Sequence, residues 1–474
     1  MKYDAIIIGA GLSGLAAGIR LAMFDKKTVI LEKHVEIGGL NSFYARKGRV
    51  FDVGLHAMTN FSPKGVRTSP LGKLLKQLRI KHDDFRLCEQ GTSEIRFPER
   101  SLSFTNDFQV LEEEVAREFP SQIDGFRKLV TLIRDFDELN LDDNKKVYSR
   151  DVIESCITDP VLIDMIFCPL MYYGNASEGD MDFYQFVIMF KSVFMEGFAK
   201  PIGGMPYILN LLREKFETLG GELRMGAPVA ALHSDDGELQ SVELDNGETL
   251  EADSVISSAG YVETLNLCQP KETSADDHPV GRMSFTESIF VLDREPKDLG
   301  FDKSIVFFCT SDRFHYRVPD ELADVTSGVL CAPNNFQYPE PLSEGILRLT
   351  NQASFARWDE LPRSDYRAAK KAERERSVDE LLKFFPEFRQ NVVFLDTFTP
   401  KTIHKYTGHL NGAVYGSPQK VKDGCSPLRN LFICGTDQGF LGIIGATLSG
   451  ISIANRHVLQ ADRSTIKQAG EVHG

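Results

Sequence analysis

Apolar residues run almost unbroken from Ala5 to Phe24, about 20 positions, which is the length of a membrane span. Gly9, Gly11, Gly14 and Gly18 interrupt the run, and Arg20 stands near its far end, so it divides better into two elements. Tyr3–Ile8 is short, apolar and β-branched, as a buried parallel strand requires. Leu15–Phe24 is rich in Ala and Leu and reads as a helix, and Thr28–Leu31 is a second strand ending at Glu32. Further along, the pattern predicts a helix over Tyr207–Leu219 and strands at Ala227–Leu232, Ser241–Leu244 and Ala252–Ala259, with Asn246-Gly247 as a hairpin turn. Glu287–Leu292, Ser304–Cys309 and Ile346–Ala353 suggest an antiparallel sheet. From about 85 to 198 helices alternate with charged loops, for example Gln109–Arg117 and Ile123–Leu139. Ser364–Phe385 is a charged helix whose basic run reads as a solvated face with i,i+4 pairs, contact with anionic lipid being the alternative. Leu431–Cys434 is a strand, and a helix opens near Gly445.

Chemistry enters between the first strand and the first helix. Gly9-Ala10-Gly11-Leu12-Ser13-Gly14 is a G-x-G-x-x-G in a complete βαβ unit. Gly9 permits the tight turn, Gly11 lets backbone approach a pyrophosphate, and Gly14 lets helix and strand pack closely. The helix start offers free N–H groups to phosphate oxygens. Glu32 can accept hydrogen bonds from ribose hydroxyls, and its charge would repel the 2′-phosphate of NADP. These residues point to a bound dinucleotide.

Four blocks then occur in one order. Glu32-Lys33 is followed by Gly38-Gly39-Leu40 and Ser42, and then by Gly48 to His56 (GRVFDVGLH). Lys200 to Met205 (KPIGGM) precedes a helix and Ala227-Pro228-Val229. Gly435-Thr436-Asp437 precedes Gly442 to Gly450 (GIIGATLSG), after a stretch holding Thr399-Pro400, Tyr406 and Tyr415-Gly416. The whole resembles the FAD-dependent phytoene desaturases, carotenoid isomerases and retinol saturases of the amine-oxidase-like flavoprotein superfamily. That likeness implies FAD held by Gly9, Gly11, Leu12, Ser13, Gly14, Glu32, Lys33, Gly38, Gly39, Leu40, Gly54, Leu55, His56, Val229, Gly435, Asp437, Ile444, Gly445 and Ala446. The usual arginine of the Gly-Gly block is here Leu40. His56 and Tyr415 would lie near the flavin and are the candidate catalytic residues; His56 also reads as a structural histidine. The expected class is α/β (α+β overall): a Rossmann-like FAD-binding domain with a mixed-sheet and helical substrate domain. Residues 1–80, 200–265 and 425–460 would form the first, residues 81–199 and 266–424 the second, and 461–474 a flexible tail.

Phe183, Phe186, Phe190 and Phe194 are spaced for one helix face, in a stretch rich in Met and Tyr. They are either core or the wall of an apolar substrate channel. The expected partner is an apolar isoprenoid, with hydride exchange at flavin N5, an unassigned electron partner and peripheral membrane contact. An amine- or protoporphyrinogen-oxidase-like activity and a non-catalytic isoprenoid carrier stay open. Composition narrows the rest. The 474 residues carry 54 basic and 68 acidic side chains, a net charge of −14, which makes nucleic acid an unsuitable partner. No two of the eight cysteines form a CxxC, no metal constellation is evident, and a cytoplasmic setting is expected, with membrane association as the alternative.

Overall fold

β1 (Lys2–Ile8), α1 (Leu12–Ala22) and β2 (Thr28–Glu32) form the βαβ unit that the apolar pattern requires. The structure is a computed structural model and describes residues 2–136 and 147–460. The expected tail (461–474) and the end of the expected helix Ile123–Leu139 lie outside the described residues; the described part of that helix is Ile123–Asp135. β1 pairs in parallel with β2 and, on its other side, with Thr249–Ser257. β2 pairs in parallel with Glu222–Met225, and Thr249–Ser257 with Leu431–Ile433. Three distant stretches of chain therefore share one parallel layer. Val229–Asp235, Glu238–Leu244 and Cys268–Gln269 extend it to an eight-stranded sheet. Asn246-Gly247 turns between Glu238–Leu244 and Thr249–Ser257, with Gly247 at φ +83°.

The second sheet has seven strands. Its order is Val392–Phe398, Ser284–Leu292, Gly345–Ala353, Ala323–Cys331, Ile305–Cys309, Ser93–Arg96 and Ser101–Phe104. It is mixed rather than wholly antiparallel, because Ser93–Arg96 runs parallel to Ile305–Cys309. Ala323–Cys331 escapes the apolar pattern: Asp, Thr, Ser and Gly occupy much of it. Gly328 is needed there, since a Cβ would come within 2.6 Å of the Thr350 carbonyl oxygen. One face of this sheet shares a core with the helices between residues 108 and 195, and the other packs on Tyr366–Leu381 through Phe290, Leu347, Val378 and Leu381. The basic run of that last helix is laced with ion pairs, including Arg376 with Glu373 and Glu321. Among the described residues, no helix is long and apolar enough to cross a membrane.

Two histidines brace the first sheet. The His457 ring stacks on Phe432 at 4.3 Å, with Nε2 2.7 Å from the Asp423 carbonyl oxygen. The His278 ring lies 4.3 Å from that of Tyr261, with Nε2 3.1 Å from the Gln419 carbonyl oxygen. Burial lowers the pKa of both. The unfolded chain takes up these protons below the ordinary value of about 6.5, and the folded chain only at lower pH. Stability present above about pH 6.5 should therefore fall as pH drops through that value. Denaturant midpoints measured across this range should fall less steeply for the His278→Gln/His457→Gln protein; parallel curves would exclude both histidines.

Candidate active site

The turn after β1 is built by close contact. A Cβ on Gly14 would lie 2.0 Å from the Gly9 carbonyl oxygen, so only glycine fits there. Gly11 differs: its backbone is extended (φ −68°, ψ 174°), and a Cβ there would meet no atom within 4 Å. Across that open space lies Gly39, whose own Cβ would sit 3.8 Å from the Gly11 Cα. Glu32 closes the turn from β2. Its carboxylate accepts from the Ala10 N–H (2.7 Å) and the His34 N–H (2.9 Å) and retains lone pairs for a ligand. The Ala227 N–H donates to the Glu32 carbonyl (2.8 Å), which brings the stretch leading into Val229 beside it.

A cavity of about 730 Å³ opens here. Its wall joins Glu32, Gly39, Leu40 and Gly54 to His56, Tyr172, Tyr173, Phe285, Glu287, Thr350, Tyr415 and Ala446. Residues from both sheets and from the helix Pro160–Gly174 thus face one space. The open position at Gly11, the carboxylate of Glu32 and a cavity this size fit a bound dinucleotide.

The stretch between Asp52 and His56 is held by buried charge. Asp52 Oδ1 accepts from the Met205 N–H (2.8 Å) at the start of the helix Gly204–Thr218. That tertiary contact explains why the helix begins three residues before the sequence pattern predicts. Asp52 Oδ2 lies 3.3 Å from Lys200 Nζ, and Lys200 donates to the Leu55 carbonyl (3.0 Å). Arg348 donates to the same carbonyl (2.6 Å), to that of Val53 (2.7 Å), and through Nε to Glu287 (2.5 Å). Arg348 and Glu287 are both almost fully buried, so deleting one partner would cost about 3–5 kcal/mol. Burial alone would raise the Glu287 carboxyl, but Arg348 and His56 together outweigh it and hold the group below the ordinary carboxylate range. Burial pushes His56 down, with Glu287 opposing, which favours the neutral ring. Burial likewise pushes Lys200 down against the pull of Asp52.

Several expected residues stand elsewhere. Phe183, Phe186, Phe190 and Phe194 are core, with Phe186 and Phe190 fully buried, and none lines the cavity. The channel expectation fails for them because their helix is covered on that face by Phe108, Phe126, Phe167 and Phe104. Asp437 does not line the cavity either: its carboxylate accepts from the backbone N–H groups of Ser417 (2.7 Å) and Tyr261 (2.6 Å). Its neighbour Thr436 is on the wall instead. The last helix opens at Gly442 rather than Gly445, so Gly442, Ile443 and Ala446 face the cavity while Ile444 is core. Gly435 abuts Ser13, Leu55 is buried behind Gly54, Lys33 is exposed, and Val229 is a half-buried strand residue. The Tyr415 ring faces the cavity, but its hydroxyl donates to the Tyr172 carbonyl. Behind it, Lys420 donates to the Tyr415 carbonyl (2.6 Å), and burial lowers that ammonium to about 8. Glu287, Arg348 and Thr350 went unread in the sequence, and Lys200, read only as the start of the KPIGGM block, is buried. The signal was a lone acid and a lone base in two otherwise apolar or neutral strands, Ser284–Leu292 and Gly345–Ala353.

A largely parallel sheet carrying this glycine turn and acidic strand end beside a large cavity defines a dinucleotide-binding protein. Residues 12–456 match the model of the flavin containing amine oxidoreductases; the chain belongs to that family and is an FAD-dependent oxidoreductase. It is 24% identical to prolycopene isomerase 1, chloroplastic, of an Oncidium hybrid cultivar, over 99% of this chain and 85% of that protein. It is 22% identical to all-trans-retinol 13,14-reductase of Danio rerio, over 96% of this chain and 86% of that protein. An oxidoreductase from Methanosarcina mazei shares the fold, with a TM-score of 0.68 at 16% identity, over 96% of this chain and 100% of that one.

Gly11→Val should give a folded, colourless protein, because a Cβ there meets no atom of the chain and the side chain enters the open space. Flavin content should drop at least about tenfold. Gly14→Ala should instead cost about 1–3 kcal/mol of stability through the clash with Gly9. Flavin absorbance and denaturant titration of the two variants separate these effects; a yellow, fully loaded Gly11→Val protein would contradict the cofactor position.

Proposed function

We propose that the substrate is a long, apolar isoprenoid of carotenoid type, and that the reaction is desaturation, saturation or isomerisation. The observation that carries this reading is the cavity wall formed by Tyr172, Tyr173, Phe285, Val329, Val414 and Tyr415. This part of the wall offers aromatic and aliphatic surface to an extended hydrocarbon, with His56, Glu287 and Thr350 as polar groups of the same cavity. The relatives named above, a prolycopene isomerase and a retinol reductase, support the same substrate class. An apolar isoprenoid dissolves in bilayers, so peripheral contact with a membrane belongs to this reading.

In this proposal FAD is held by the backbone at Gly11 and the start of α1, by Glu32, and by Gly39, Leu40, Gly54 and Ala446. Residues 1–80, 200–265 and 425–460 then form the FAD-binding domain, with the sheet's small edge strand Cys268–Gln269 added to it. Residues 81–199 and the rest of 266–424 form the substrate domain. Bound FAD supplies hydride exchange at N5. The chain supplies position and a dry wall: Tyr172, Phe285 and Tyr415 exclude water, and Tyr415 is fixed by its bonds to Tyr172 and Lys420. His56 stands on the wall of this region, and burial lowers the pKa of its ring. Trp358, the chain's one tryptophan, is fully buried with Nε1 donating to the Leu322 carbonyl, and it takes no part in the cavity.

The test is anaerobic incubation of the flavin-loaded protein with phytoene- and lycopene-type polyenes in liposomes, with and without a chemical reductant. Loss of a hydrogen pair in product mass identifies desaturation, and gain identifies saturation. Unchanged mass with altered retention identifies isomerisation. No change in any polyene would sink the isoprenoid reading and favour a small amine or porphyrinogen as substrate. His56→Ala should keep its FAD and slow turnover at least about tenfold; unchanged turnover would make His56 a structural residue.

A further inference from the structure

Glu287 sits opposite Thr350 in the antiparallel pairing of Ser284–Leu292 with Gly345–Ala353, and Arg348 lies diagonally from it on the same face. Each oxygen of its carboxylate has its own work. Oε1 accepts from Arg348 Nε. Oε2 lies 3.1 Å from His56 Nε2 and accepts from the Thr350 hydroxyl (3.3 Å), whose oxygen is itself 3.1 Å from the same Nε2. Arg348 fixes the Glu287 charge, so the carboxylate acts as acceptor and Nε2 must carry the proton of a neutral ring. Nδ1 is then the lone-pair nitrogen, and among the described residues it has no hydrogen-bond partner. The backbone cannot swing away, because Lys200 and Arg348 both hold the Leu55 carbonyl and Cys331 Sγ donates to that of His56 (3.7 Å).

We propose that Glu287 is a positioning residue for His56: it fixes the Nε2–H tautomer and so makes Nδ1 a standing hydrogen-bond acceptor on the wall of the cavity. The inference rests on the reading of that cavity as the active site. The arrangement repeats the logic by which a buried acid orients a catalytic imidazole and balances the charge it gains on protonation. Glu287 and Arg348 approach from the second sheet, Lys200, itself paired with Asp52, from the strand Ala199–Pro201, and Cys331 from Ala323–Cys331. The Tyr173 ring lies 6.4 Å away. Among the described residues Glu287 is the carboxylate in hydrogen-bond reach of the ring, so removing it removes the tautomer preference.

The tautomer can be read without substrate. Nitrogen NMR of the histidine-labelled, flavin-loaded protein, assigned against His56→Gln, should show His56 as Nε2–H. In Glu287→Leu/Arg348→Met, which deletes the charges together at similar volume, both tautomers should appear. Turnover should fall about tenfold with KM changed less than about twofold. Glu287→Gln/Arg348→Met keeps an amide oxygen at the same place and should restore the Nε2–H signal and most of the rate. An Nδ1–H signal in the unmodified protein overturns the proposal, and so does an unchanged tautomer in the leucine–methionine variant. If that variant does not fold, the signal of the unmodified protein decides. If no polyene reacts, the isoprenoid reading fails while the tautomer result still stands or falls alone.

Discussion

Arg348 crosses from the second sheet to the loop after Asp52 and donates to two of its carbonyls while Glu287 balances its charge. The site depends on this contact. Without it, the buried Glu287 carboxylate would keep only His56 and Thr350 beside it and lose its balancing charge, which is a large loss for any fold. With it, the strand pair that carries Glu287 and Thr350 is tied to the loop that presents Gly54 and His56. Lys200 repeats the device from a third segment, sharing the Leu55 carbonyl and pairing with Asp52. Asp52 in turn accepts at the start of the helix Gly204–Thr218. Arg348, Glu287, Thr350 and Lys200, from three distant segments, therefore converge on one short loop.

The dinucleotide side rests on a different physics, the close approach of backbone to backbone. α1 lies against its own strand because Gly14 leaves room for the Gly9 carbonyl. It lies against the last helix because a Cβ on Gly450 would come within 1.9 Å of the Ser13 carbonyl oxygen. These contacts set the start of α1, Thr436 and the turn after Ile433 beside one another. The charged loop and the glycine turn meet at the cavity wall, where Leu40 and Gly54 touch: a Cβ on Gly54 would reach 2.5 Å from the Leu40 carbonyl oxygen. A cofactor and an apolar substrate can share that space because one wall is backbone and carboxylate and the other is aromatic.

The local elements were legible in the chain. β1, α1 and β2 follow from period and length, the G-x-G-x-x-G follows from its turn, and Asn246-Gly247 marks its hairpin. These readings succeed because each depends on residues within a few positions of one another. The strand Ala323–Cys331 was not legible, since its small polar residues satisfy no simple period and are tolerated only because neighbours cover them. The aromatic face of Phe183–Phe194 was legible as a face, but a helical stripe does not say what it faces. Here it meets other phenylalanines and makes core.

The sequence by itself determined the class of cofactor site, because a pyrophosphate needs a glycine turn, a helix start and an acid at fixed spacing along one βαβ unit. It also marked His56 and Tyr415 as candidates. Tertiary structure alone decided that Glu287, Thr350, Arg348 and Lys200 surround His56, that the Tyr415 hydroxyl is spent on Tyr172, and that Asp437 serves the backbone of Ser417 and Tyr261. The physical reason is range. Spacing along the chain encodes contacts between near neighbours, whereas a buried charge takes its partner from wherever the fold brings one, here from 61 and 231 residues away.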